Sequence, residues 1–174
     1  MELSHIEIQN LAEEILLKAD IEPCYKPSVT KIVAAAGLRV APALNLAPSV
    51  YSRLKITNRD GEFDTSLESI AVNASKDAKE QRFATVYQVA FYLLFKDVDG
   101  IHESYLNSMD IDVHSDAMRL ACAILMNEEL FVEKFHKALK GIPNLVAVTK
   151  NLATAFFVPP FAVKHRAQDL NLNM

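Results

Sequence analysis

At 174 residues, of which 51% are hydrophobic and 23% charged, the chain has the length and apolar content of one domain built on a single core. No apolar run approaches the ~18 residues a membrane helix needs, and the opening MELSHIEIQN lacks the basic-then-apolar layout of a signal peptide, so membrane insertion and export are not expected and a soluble cytoplasmic protein is. The net charge of -4 is unevenly spread: Phe131 to Met174 holds six Lys/Arg against two Asp/Glu, a balance of +4, which leaves -8 for Met1 to Leu130 and hints at an anionic partner for the C-terminal end.

The first predicted element is a helix over SHIEIQNLAEEILLKA, where Ser4 and Glu7 form a capping box and Ile8, Leu11, Ile15 and Leu16 recur at helical spacing. Ser28 caps a second, short helix, VTKIVAAAG, with Val29, Ile32, Val33 and Ala36 on one face and Gly37 as its left-handed stop. An extended region begins at LRVAPAL. VYSRLKIT then alternates, Val50, Leu54 and Ile56 against Tyr51, Arg53, Lys55 and Thr57, as a half-exposed strand does. Asp60-Gly61 is turn chemistry, and SLESIAVN returns as a second strand with Ile70 and Val72 turned inward, giving a small antiparallel sheet.

From Ser75 to Phe95 the pattern is helical, and it becomes so apolar from Val86 onward that a helix buried on most of its surface is expected. KDVDG breaks it, and IHESYLNSMDID reads as a loop. Val113 to Leu139 is helical and divides or bends near Asn127, with Gly141-Ile142-Pro143 as the stop. NLVAVTKNLATAFF and PFAVKHRAQDLNL are two further short helices separated by Val158-Pro159-Pro160. The two cysteines, Cys24 and Cys122, have neither CxxC spacing nor the density of a disulfide scaffold and read as core thiols. His5, His136 and His165, without neighbours at ligand spacing, read as surface histidines.

The order of these pieces resembles the ImmA/IrrE family of small metallopeptidases of mobile elements and stress regulation. AEEILLKADIEPCYKPSVTKIVAAAGLRV is similar to the family's opening pair of helices. Ile70-Ala71-Val72-Asn73 followed by SKDAKEQRFATVYQVAFYLLF resembles its strand, its Asn and its Arg-Phe-Thr-x-Ala-His-Glu-x-Gly-His-x-Leu-Leu-His helix. SDAMRLACAILMNEEL and FFVPPFAVKHRAQDLNL resemble the downstream and closing segments. The resemblance implies an α+β, mainly helical, zincin-like domain with the small sheet packed on a buried central helix. The family domain would span 1–140, with 141–174 a short helical segment, helix-turn-helix-like, packed on the same domain.

In a His-Glu-x-x-His helix, two imidazoles four residues apart bind zinc and the Glu is general base toward the metal-bound water. The resemblance puts Tyr87, Gln88 and Phe91 at those positions and Asp116 at the third, acidic ligand position. An amide cannot take the proton, a phenyl ring has no lone pair to give, and a neutral phenol is a poor ligand. No catalytic residue, cofactor or metal is therefore expected, and the vacated site should be filled by aromatic rings. A relocated site made from Asp116 with His102 or His114 is the enzyme-class alternative, against which stands the ~200° between positions two apart on a helix. No nucleophile elbow or phosphate loop is present.

The sequence thus points to a pseudoenzyme of this family, a regulator that binds a protein partner. The resemblance suggests a helix-turn-helix repressor in a phage, mobile-element or stress setting. A DNA-binding reading, with Lys164, His165 and Arg166 facing phosphates, ranks behind it because three cations on a net-negative chain make a thin footprint.

Overall fold

A computed structural model describes residues 2–56, 69–101, 103–141 and 144–173. The chain begins with helix α1 (His5–Lys18), whose N-terminus carries the expected capping box: the Glu7 N–H donates to Ser4 Oγ and the Ser4 N–H donates to the Glu7 carboxylate. Helix α2 (Val29–Ala35) is capped by Ser28 and stopped where Gly37 adopts φ 77°, the left-handed conformation that glycine enters without a Cβ clash.

Strands β1 (Arg39–Ala43), β2 (Val50–Lys55), β3 (Ser69–Asn73) and β4 (Glu103–Asn107) form one sheet in the order β1-β3-β2-β4. β2 runs antiparallel to both β3 and β4, the arrangement expected of a small antiparallel sheet. The sheet as a whole is mixed, because β1 adds to the far side of β3 in parallel. The segment read as a loop, IHESYLNSMDID, supplies β4 and a short 3₁₀ turn at Asp110–Asp112; Ser104 and Leu106 point in while Glu103 and Tyr105 point out. Two apolar-facing positions are too few for a clear alternation, which is why this strand reads as loop. The Asp60-Gly61 turn and the Ile142-Pro143 stop lie outside the described residues.

One face of the sheet rests on helix α3 (Ala78–Phe95), started by an Asp77/Glu80 capping box. Cross-strand neighbours Leu54 and Ile70, Ser52 and Val72, and Ser52 and Leu106 meet on that inner face, each buried. The buried stretch of α3 is Phe83 to Ala90, earlier than its apolar composition suggests, while Phe91 to Phe95 are half-buried. Its C-terminal turns run past the layer that covers its middle.

Helix α4 (Asp116–Leu125) packs along α3 and is buried from Ala117 through Leu125. Its small residues Ala117, Ala121, Cys122 and Ala123 let neighbours approach on every side, so the molecule has two central helices. The predicted division near Asn127 is a true break: Met126 leaves helical geometry at φ -132°, and Asn127 Oδ1 accepts from the Leu130 N–H to cap α5 (Glu128–Gly141). Helix α6 (Leu145–Ala155) packs on α5, and α7 (Pro160–Asp169), with Pro160 in its first turn, packs on α4 and α6.

Burial sets the expected cost of cavities. Phe83 and Phe131 are 0% exposed, so Phe83→Ala should cost about 3 to 5 kcal/mol in urea unfolding. Phe91→Ala, at a half-buried position, should cost only about 1 to 2 kcal/mol; equal losses at the two sites would show that Phe91 belongs to the core proper.

Candidate functional site

The face of α3 that carries Tyr87, Gln88 and Phe91 is built as core. Gln88 is 0% exposed. Its Nε2 donates to Ser52 Oγ at 3.0 Å and Ser52 Oγ donates to the Ala84 carbonyl at 3.0 Å, so the amide is tied through β2 back to its own helix. Gln88 Oε1 is buried without a hydrogen-bond partner among the described residues. Tyr87 is nearly buried, and its phenol is held above the ordinary value by burial and then by the nearby Asp110 carboxylate, with a hydrogen bond to Ser115 acting in the opposite sense. A zinc-ligating phenol needs the reverse shift. The Phe91 ring stacks obliquely on Phe95, centroids 4.6 Å apart, and contributes no donor atom.

Asp116, at the first turn of α4, is committed elsewhere. Its Oδ2 accepts from the Leu3 N–H at 3.0 Å and its Oδ1 accepts from Arg119 Nη1 at 2.9 Å. The Asp116 carboxylate is thereby neutralised by an arginine on its own helix. Tyr87, Gln88, Phe91 and Asp116 do not fit a zinc ion, and among the described residues no group of three His, Cys, Asp or Glu side chains is placed to hold any metal ion. Of the relocated set, His102 lies outside the described residues, and His114 and Asp116 reach different partners.

The polar centre of the molecule lies beside Asp116, beyond Arg119, and sequence reasoning missed it. The Asp169 side chain, 3% exposed, accepts from Arg119 Nε at 2.7 Å and from Arg166 Nη1 at 3.3 Å, and meets His5 Nδ1 at 3.3 Å. Arg119 also donates to the Leu3 carbonyl, and Arg166 Nε donates to the Met126 carbonyl at 3.0 Å. Gln9, with its amide oxygen turned inward, accepts from both terminal Arg166 nitrogens at 2.8 and 2.9 Å. His5 Nε2 reaches Glu128 at 3.0 Å. Three helices, α1, α4 and α7, thus meet on one carboxylate, and α5 joins them through the His5–Glu128 pair. Two signals for it stand in the sequence: a lone arginine inside the apolar run DAMRLACAIL, and Arg166 and Asp169 at i,i+3 on one helix.

This arrangement redistributes the C-terminal cations. Lys164 is exposed, but Arg166 is 0% exposed and His165 7% exposed, so the three do not share a solvent face. His165, read as a surface residue, lies against His114: its Nε2 is 2.6 Å from the Ile111 carbonyl and must carry the proton there, so its Nδ1 accepts from His114 Nδ1 at 3.1 Å. The rings stack at 12°. His5 is likewise a bridging group, while His136 is on the surface as expected. Of the two thiols read as core, Cys122 is buried, its pKa pushed well up by that burial, whereas Cys24 is exposed because the turn between α1 and α2 runs over the surface.

The model of a peptidase family, the IrrE N-terminal-like domain, matches residues 47–168. The match takes in the sheet from β2 onward, α3, α4 and the closing helices, and begins after α1, α2 and β1. No curated protein and no solved structure matches at a significant level.

Two outcomes follow from this geometry. Asp169→Asn leaves the buried Arg166 guanidinium without its ion-pair partner, strips Arg119 of one of its carboxylates, and should cost about 3 to 5 kcal/mol by urea unfolding. The His114 pKa is lowered, first by burial, then by His165, with Arg119 adding to the effect and Asp169 and Glu2 opposing it. The unfolded chain therefore takes up that proton first, so stability should hold above the ordinary histidine value near pH ~6.5 and fall as pH drops below it. His114→Gln should flatten that part of the stability profile; an unchanged slope would assign it to another group.

Proposed function

This chain belongs to the family of the IrrE N-terminal-like domain, and from that premise we propose that it is a non-catalytic member which acts by binding another protein. The observation that carries this reading is Gln88. At the position where the family's resemblance puts the general base, a neutral amide is sealed in the core and tied to Ser52. It can neither accept a proton from water near neutral pH nor reach solvent. Tyr87 and Phe91, one turn apart at the ligand positions, are likewise committed to packing, and Asp116 is committed to Arg119.

A member that keeps the fold without the chemistry retains its recognition surface as its useful part. The reading is of a cytoplasmic regulator that sequesters or shields its partner, with a helix-turn-helix repressor as the partner the family resemblance suggests and a phage or mobile element as its setting. The divergent-peptidase reading would require Asp116 to leave Arg119 and the Leu3 N–H, and His114 to leave His165. The DNA-binding reading has only Lys164 of its three cations at the surface.

Elemental analysis of protein purified without chelator tests the proposal. We expect far less than one zinc per chain and a melting temperature that neither zinc nor chelator changes. An ion held at 100 times its dissociation constant would stabilise the fold by about 2.7 kcal/mol, an easily measured shift. Tyr87→His combined with Phe91→His should still cleave no protein substrate, since Gln88 remains; one zinc per chain in the unaltered protein, or cleavage by the double variant, would overturn the reading.

A further inference from the structure

Between α6 and the end of α7 lies an open groove of about 780 Å³. Its apolar part comes from Leu145 and Val146, 42% and 66% exposed, and from Leu172, which follows α7. Its polar part comes from Lys164, Gln168 and Asn171, and no carboxylate lines it. Leucine and valine side chains this exposed on neighbouring positions of one helix are costly to leave in water unless something covers them.

Charge decides what would cover them. The C-terminal segment carries a sequence balance of +4, and the Arg166 and Asp169 charges cancel inside the molecule. The remaining excess therefore stands at the surface, on Lys137, Lys140, Lys150 and Lys164 among others, opposed by one exposed acid, Glu133. The rest of the chain is negative, so this end alone attracts anionic groups. The groove offers amides and one lysine around an apolar floor, a surface that grips aliphatic side chains in the middle and acidic ones at the rim. α6 and α7 meet at a bend of 101°, which leaves a wedge-shaped trough rather than a strand-accepting edge.

We propose that the groove between α6 and α7 is a docking site for an acidic amphipathic helix of a partner protein, its leucine-like side chains seated on Leu145, Val146 and Leu172 and its carboxylates facing Lys164. The inference rests on the protein-binding reading and gives that reading a location and a chemistry. A zinc or cleavage assay bears on the missing catalysis and leaves the groove untouched, so failure of the one is distinguishable from failure of the other.

The test uses the full chain, isotope-labelled, titrated with a short synthetic helix bearing leucines on one face and glutamates on the other, and with a control in which lysines replace the glutamates. Amide shifts should concentrate on Val146, Lys164, Gln168 and Leu172 with the acidic helix. Binding should be about tenfold weaker for the lysine control, for Val146→Asp and for Lys164→Glu, and should weaken as salt rises. Both substitutions are at exposed positions, so unchanged melting curves will accompany them. Shifts that map elsewhere, equal binding of the two helices, or no binding at all would overturn the proposal. A dimer in sedimentation that Val146→Asp disperses would also overturn it, assigning the groove to a second copy of the chain.

Discussion

Three helices of this molecule, α1, α4 and α7, are placed so that one buried carboxylate has company. Asp169 is almost fully shielded from water, and so are the guanidinium groups of Arg119 and Arg166 beside it. Any one of these charges alone would cost several kcal/mol to bury, and the cluster is tolerable only because every member is met by an opposite charge, a carbonyl or an amide. The Leu3 and Met126 carbonyls and the Gln9 amide complete the donors' needs. The buried charges sit on α4 and α7, which must both arrive in place, or a charge is stranded. The orientation of α7 follows from this, since Arg166 must face inward and Lys164, two positions earlier, must then face out.

The α3 face that carries Tyr87, Gln88 and Phe91 shows the opposite solution, an absence of charge. Where a metal peptidase would bring imidazoles and a carboxylate to a cation, Tyr87, Gln88 and Phe91 bring a phenol, an amide and a ring to the packing of α3 against β2 and α4. One polar atom there is unmatched, the Gln88 carbonyl oxygen, which is buried without a partner among the described residues. A polar atom kept at such a place costs about 1 to 3 kcal/mol relative to a satisfied one. An aliphatic side chain would avoid that cost but would lose the bond that ties α3 to Ser52 on the inner face of the sheet.

Local signals in the sequence were good guides to local structure. Ser4 with Glu7, Ser28, Gly37 and Asn127 mark the helix ends they form, because capping depends on atoms three residues apart. The family resemblance was legible in the chain's apolar pattern and in the spacing around Gln88. What stayed hidden was non-local. β4 is recognisable only once β2 stands beside it to pair with Ser104 and Leu106. His5 and Asp169 are separated by 164 positions and His114 and His165 by 51, so nothing at sequence range could say that they touch. The exposure of Cys24 and the burial of Arg166 come from the same source: the fold, and not residue type, decided which of them met water.

The span of the carboxylate cluster also sets an order of events during synthesis. Most of the sheet, α3 and α4 can form once residue 125 has emerged, but Arg119 then has only Asp116 as a buried partner, its second carboxylate being some fifty residues away on the unfinished chain. Contacts that join the two ends of a chain close late, after the intervening segments have been made and collapsed. Until α7 is delivered, α1 is held against α4 by its apolar stripe and the Leu3 bonds to Asp116 and Arg119 alone, and the nascent protein is open where the finished one is sealed. The last helix is therefore the clasp of the fold, and a protease or chaperone meeting the growing chain would find its opening there.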